Sequence, residues 1–139
     1  MVLPAAQSLS RPTAGRARLR WGSGTRHTGG VTDHPLEVDL DTFAAAYRAG
    51  VTVVDVRNPN EYQAAHVPNA VLIPLPELAA RQAEIPEADL LYVICAVGGR
   101  SLSAAQALVD AGYQAVSVAG GTNGWIERGG QVVSGDQPA

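Results

Sequence analysis

The chain contains no lysine; all ten of its basic residues are arginine. It has one cysteine, one phenylalanine and one methionine in 139 residues. A lone cysteine excludes an internal disulfide, so this is not a crosslinked secreted scaffold, and a reducing compartment, the cytoplasm, is expected. No stretch approaches the ~18 consecutive apolar residues of a membrane-spanning helix, so no membrane partner is expected. Met1–Ala6 is too short, and lacks the basic start, to serve as a secretory signal. His27 and His34 stand at no ligand-like spacing from Cys95, which argues against a metal site.

What is present suits one globular domain. Hydrophobic residues make up 46% of the chain, and 15 glycines with 9 prolines supply many turns. The net charge of −3 is unevenly spread. The first 30 residues carry Arg11, Arg16, Arg18, Arg20 and Arg26 and no acid, while the remainder sets five arginines against 13 acids. The Arg-rich start resembles a transit peptide in composition. Its few apolar residues and many Gly, Ser and Thr fit a disordered tail better. It lacks dense basic clusters, and Trp21 is its one aromatic, so nucleic-acid binding is not expected. The expected organisation is a disordered tail over 1–32, a folded domain over 33–133 and a disordered C-terminal tail over 134–139.

From Leu36 onward, strand and helix patterns alternate. "LEVDL" reads as a short strand, and "DTFAAAYRAG" as a helix capped by Asp41 and stopped by Gly50. "VTVVDV" is a β-branched run suited to a strand covered on both faces. "NPNEYQAA" gives a turn and short helix, "AVLIP" a strand, and "PELAARQAEI" a helix with proline near its start. "LLYVIC" reads as the central strand. "SLSAAQALVDAG" reads as a helix with Leu102, Ala105, Leu108 and Val109 inward. "AVSVAGG" and "TNGWIERGG" supply a last strand and a short closing helix. Such alternation predicts an α/β domain with a mainly parallel sheet of about five strands, covered by helices on both faces.

The one cysteine stands where this architecture gathers function. Open α/β sheets bind ligands outside the carboxyl ends of their strands, and Cys95 ends the most apolar strand. Gly98 and Gly99 allow φ > 0, so the amides from Ala96 to Ser101 can curl into an anion-binding nest. A helix start near Ser101 adds unpaired N–H groups, and Arg100 adds a cation. Each feature favours thiolate over thiol. A strand-end cysteine is also a common small core residue. The coincidence of loop, helix start and arginine favours the nucleophile.

"CAVGGRS" resembles the active-site loop C-x-x-G-x-R of the rhodanese-like single-domain sulfurtransferases, through Cys95, Gly98 and Arg100. "VVDVRNPNEYQAAHVPNAVLIPL" is similar to that family's strand-turn-helix signature through Asp55, Arg57, Glu61, Tyr62, His66, Pro68 and Ala70. "GGTNGW" is similar to its G-G-x-x-x-W through Gly120, Gly121 and Trp125. Ala65 and Asn69 stand where the family usually has glycine. The resemblance implies the family's three-layer fold and a sulfurtransferase that carries sulfur as a Cys95 persulfide. It implies a small anionic donor such as thiosulfate, a thiol or cyanide acceptor, with a protein donor or acceptor also open, and no cofactor. The loop from Ala96 through Val97, Gly98, Gly99 and Arg100 to Ser101 would bind substrate, with Arg100 orienting the donor.

The neighbouring residues have plainer readings. Arg57 is expected to tie the strand to Glu61, with Asp55 beside it near the active-site mouth. His66 is expected to bond backbone in the turn before Pro68, Trp125 to pack the last helix on the sheet, and Ser101 to cap the following helix. Two other functions compete. A phosphatase or arsenate reductase of the same fold would use C-x5-R, but only four residues separate Cys95 from Arg100. A sulfur-carrier or sensor module docking on a partner fits the uncharged Ala96 and Val97.

Overall fold

The computed structural model describes residues 36–139. The Arg-rich tail expected over 1–32, and the start of the domain at 33, lie outside the described residues. Five parallel strands form one sheet: β1 (Glu37–Val38), β2 (Thr52–Asp55), β3 (Val71–Leu72), β4 (Leu91–Ile94) and β5 (Ala115–Val118). Their spatial order is β1-β5-β4-β2-β3, so the most apolar strand lies at the centre and the two-residue strands form the edges. The helices are α1 (Leu40–Arg48), α2 (Pro59–Ala64), α3 (Gly99–Asp110) and α4 (Gly121–Glu127).

Side chains alternate across a strand, and here both faces are covered. Val54, Val93, Cys95 and Ala115 face one cluster with Ala104, Ala105 and Leu108 of α3. Val53, Tyr92, Ile94, Val116 and Val118 face a second cluster with Phe43 of α1, Tyr62 of α2 and Trp125 of α4. Trp125 does pack the last helix inward, with its ring 5.2 Å from Phe43 and 5.4 Å from Tyr47 in edge-on contacts. The expected three-layer architecture is therefore present.

Four local expectations are corrected. Asp39, not Asp41, caps α1: its backbone is extended and its side chain accepts the Thr42 N–H at 2.8 Å. Asp41 lies inside the first turn and pairs with Arg128 at 2.9 Å. "PELAARQAEI" is not one helix but two 3-10 turns, Leu75–Glu77 and Gln82–Glu84. Pro86 disfavours helical backbone at Ile85, which is extended, and Leu78 and Ile85 are both drawn into the core. Leu102 is 38% exposed rather than inward, because the buried stripe of α3 runs through Ser101, Ala104, Ala105 and Leu108.

The fourth correction concerns the chain after Val133, expected to be disordered. It is bound along the turn that follows α2. His66 and Val133 exchange two backbone hydrogen bonds of 2.9 Å. Gly135 N–H donates to Gln63 O at 2.8 Å, and Ser134 Oγ donates to Ala64 O at 3.0 Å. Asn69 N–H donates to Pro138 O at 2.8 Å. The composition of this segment gives no apolar signal because main-chain groups and the Ser134 hydroxyl hold it.

His66 bonds backbone as expected, but not within its own turn. Its Nδ1 lies 2.8 Å from Tyr62 O and its Nε2 3.1 Å from Pro138 O, with the ring stacked on Tyr62. Asn69 adopts φ +74, which asparagine tolerates, and Ala65 is extended at φ −172, where glycine offers no advantage.

Removing residues 134–139 deletes the partners of Gln63, Ala64 and Asn69 and the Pro138 carbonyl at His66 Nε2. The truncated protein should lose roughly 1–2 kcal/mol of stability, read as a fall of several degrees in Tm. An unchanged melt would show that these bonds do not hold the segment in solution.

Candidate active site

The parallel sheet brings the ends of β2, β4 and β5 to one edge, with Asp55 in register with Ile94 and Val93 with Ser117. Cys95 follows β4 directly and is 1% exposed. The loop after it is shaped by the start of α4. Cys95 O accepts the Thr122 N–H at 2.8 Å, Ala96 O accepts Asn123 N–H at 3.0 Å, and Val97 O accepts Gly120 N–H at 3.2 Å. Two of these donors lie in the first turn of α4, where backbone N–H groups lack partners within the helix.

A planar peptide points its N–H opposite its carbonyl. With the loop carbonyls drawn outward, the N–H groups of Val97 and Gly98 turn toward the sulfur. The Gly98 N–H lies 3.1 Å from Cys95 Sγ. Two glycines make this possible. Gly98 sits at φ +125, a region that side chains disfavour. Gly121 sits at φ +59, and a Cβ there would lie 2.5 Å from the carbonyl oxygens of both Cys95 and Ala96.

Helix α3 begins at Gly99, earlier than Ser101, and its N-cap is Gly98. Ser101 is thus inside the first turn and is not the cap. Its hydroxyl instead meets the sulfur: the Cys95 thiol donates to Ser101 Oγ at 3.3 Å. Ser101 Oγ also lies 3.2 Å from Gly98 O, to which it donates, and 2.7 Å from Ser117 Oγ. Burial pushes the Cys95 thiol up. The Ser101 hydroxyl and the N–H groups of Ser101, Gly98 and Val97 outweigh it and hold the thiol below its ordinary value.

The ion pairs differ from expectation. Arg57 does not reach Glu61; it closes on Asp55, with Nε 3.0 Å from Oδ1 and NH2 2.9 Å from Oδ2. Its NH2 also donates to Ala65 O at 2.8 Å. Asp55 and Arg57 are both buried, so Asp55 is at the functional edge but not open to the mouth. Glu61 belongs to Arg100. NH1 meets Oε1 at 2.8 Å and NH2 meets Oε2 at 3.0 Å, a bidentate pair joining α3 to α2. Glu61 also accepts the Asn58 N–H at 3.0 Å, at the start of α2. Arg100 is therefore an occupied cation rather than a free one. Val97, 66% exposed, presents an apolar side chain on the same loop.

The structure thus gathers Cys95, the loop from Ala96 to Gly99, Arg100 and Ser101. Ser117 and the carbonyl-binding role of Gly120, Thr122 and Asn123 were missed by sequence reasoning. A lone polar residue inside the apolar run "AVSVAGG" was the available signal for Ser117. Among the described residues, no three His, Cys, Asp or Glu side chains come together as a metal site.

Arg100 draws the Glu61 carboxyl down to about 2 from an ordinary 4.5. A carboxyl depressed on folding contributes stability that is present above its unfolded pKa and is lost as pH falls toward its folded pKa. The Glu61→Gln protein should be less stable than the wild type at neutral pH, and the difference should shrink between pH 4.5 and 2. Denaturant titrations across this range check it. A difference that stays constant with pH would contradict the pairing.

Comparison with known proteins agrees with this geometry. Residues 39–128 match the model of the rhodanese-like domain. The chain is 41% identical over 88 residues to the thiosulfate sulfurtransferase PspE of Escherichia coli, spanning 62% of this chain and 80% of that protein. It is 35% identical over 95 residues to the putative sulfur carrier protein YrkF of Bacillus subtilis, spanning 66% of this chain but about half, 51%, of that protein. A rhodanese-related protein from Thermoplasma volcanium superimposes with a TM-score of 0.65 at 34% identity, covering 70% of this chain and 96% of that one. With the family model spanning most of the sequence and the cysteine loop built as described, the chain belongs to the rhodanese-like domain family.

Proposed function

We propose that the protein is a sulfurtransferase that carries sulfur as a persulfide on Cys95. The observation that carries this reading is the sulfur's environment: a buried thiol facing the Gly98 N–H at 3.1 Å and the Ser101 hydroxyl at 3.3 Å. Such donors stabilise a thiolate and, after transfer, the anionic outer sulfur of a persulfide. With thiosulfate as donor, the Cys95 thiolate forms a bond to the outer sulfur. The donor's S–S bond breaks, and sulfite leaves with the electron pair. A thiol or cyanide then takes the outer sulfur and returns Cys95 to the thiolate. The exchange balances with donor, protein and acceptor alone.

In this reading the loop from Ala96 to Gly99 and Ser101 binds the substrate sulfur through N–H and O–H donors. Arg100, held by Glu61, fixes the first turn of α3 at the loop's base. The Asp55–Arg57 pair supports the edge from beneath. An unpaired reactive thiol fits a reducing compartment such as the cytoplasm. A protein donor or acceptor is a second reading, favoured by the exposed Val97 beside the buried Cys95. The chain would then load with sulfur but turn over slowly without its partner.

Intact mass after incubation with thiosulfate tests the proposal. The wild type should gain one sulfur atom and release thiocyanate when cyanide is added, whereas Cys95→Ser should do neither. Thiocyanate production by Cys95→Ser near the wild-type rate would overturn it. Stoichiometric loading without steady-state turnover would select the carrier reading.

A further inference from the structure

Ser117 is the polar residue of β5, whose other members are Ala115, Val116 and Val118. It is fully buried. A hydroxyl in such a place costs stability unless it is bonded. Among the described residues its side chain has one partner, Ser101 Oγ, at 2.7 Å.

The direction of that bond follows from counting hydrogens. Each hydroxyl has one hydrogen to donate and two lone pairs to accept with. If Ser101 donated to Ser117, the Ser117 hydrogen would be buried without an acceptor, and Ser101 would have none left for the sulfur. If Ser117 donates to Ser101, both hydrogens are used. Ser101 then has two places for its own hydrogen: Gly98 O at 3.2 Å and Cys95 Sγ at 3.3 Å. Gly98 O does not depend on it, because it also accepts the Leu102 N–H at 3.1 Å. While Cys95 is a thiol, its own S–H can donate to the second Ser101 lone pair. Once it ionises, the Ser101 hydrogen swings from the carbonyl to the sulfur. A donor bonded into Ser101 Oγ also polarises its O–H and strengthens it.

We propose that Ser117 is a positioning residue for the nucleophile: its hydroxyl donates to Ser101 Oγ and so directs the Ser101 hydrogen to the Cys95 thiolate. The role rests on Cys95 being the reactive thiol. It is separable from sulfur transfer because ionisation can be read without any sulfur donor. Among the described residues, the charged groups around Cys95 are Arg100 with its partner Glu61, and beyond them the Asp55–Arg57 pair. None of them changes in the variants below.

Cys95 is the single thiol of the chain, so its alkylation by iodoacetamide against pH reports its ionisation directly. Ser117→Ala should move the alkylation profile to higher pH, with roughly three- to tenfold less thiolate on the rising limb, the value of one hydrogen bond. In a Ser101→Ala background the same change should have no further effect, because Ser117 acts through Ser101. Ser117→Thr and Ser117→Val, alike in shape, separate hydroxyl from packing: the former should keep the wild-type profile and the latter should shift it. An unshifted profile in Ser117→Ala, or an equal shift in the Ser101→Ala background, would overturn the role. If the profiles shift as expected but wild-type protein gains no sulfur from thiosulfate, the positioning role stands and the sulfurtransferase reading falls.

Discussion

Three carbonyl oxygens, those of Cys95, Ala96 and Val97, point away from the sulfur into N–H groups at the start of α4. The site depends on this capture. A buried loop must satisfy its carbonyls as well as its amides. Were the carbonyls turned inward, the sulfur would face oxygens and would lose the N–H donors that hold its thiol below the ordinary value. Held outward by Gly120, Thr122 and Asn123, they leave amides for the sulfur instead. The close approach of the two segments leaves no room for a side chain at Gly121. A sequence feature some 25 residues downstream thereby fixes the electrostatics around the Cys95 sulfur.

The second constraint is the balance around Cys95 itself. Burial alone favours the neutral thiol, and the thiol is almost wholly buried. What reverses the balance is hydrogen bonding from neutral donors, led by Ser101, rather than contact with a free positive charge. The nearby cation is engaged: Arg100 gives both terminal nitrogens to Glu61. Its pairing bridges α2 and α3, while Asp55 and Arg57 form a buried pair at the end of β2. These pairs are best understood as a rigid frame. Breaking a buried pair by removing one partner leaves an uncompensated charge, which is far more disruptive than losing an exposed one.

The fold was legible because its signals are local and periodic. "VTVVDV" and "LLYVIC" have the continuous apolar character of strands buried on both faces, and the glycine at 112 ends a clearly patterned helix. Cys95, Gly98 and Arg100 were legible from their order and spacing. What the sequence hid depends on three-dimensional proximity. A linear reading offers Glu61 the nearby Arg57, and only the packing of α2 against the start of α3 gives it to Arg100 instead. Ser117 looks like an ordinary strand residue until β5 sets it opposite Ser101. The segment after Val133 has a disordered composition, yet main-chain bonds to Gln63 and Asn69 hold it. Asp39 and Asp41 both suit a cap, and they stand two residues apart.

The central claim is that neutral donors hold the Cys95 thiol below its ordinary value. The most direct measurement is the ultraviolet absorbance of the thiolate, titrated against pH with Cys95→Ser as the blank. Because no other cysteine is present, the difference signal belongs to one group. The account predicts a midpoint below the ~8.5 of free cysteine. A midpoint at or above that value would mean that burial wins over the inward amides and the Ser101 hydroxyl, and would contradict the account.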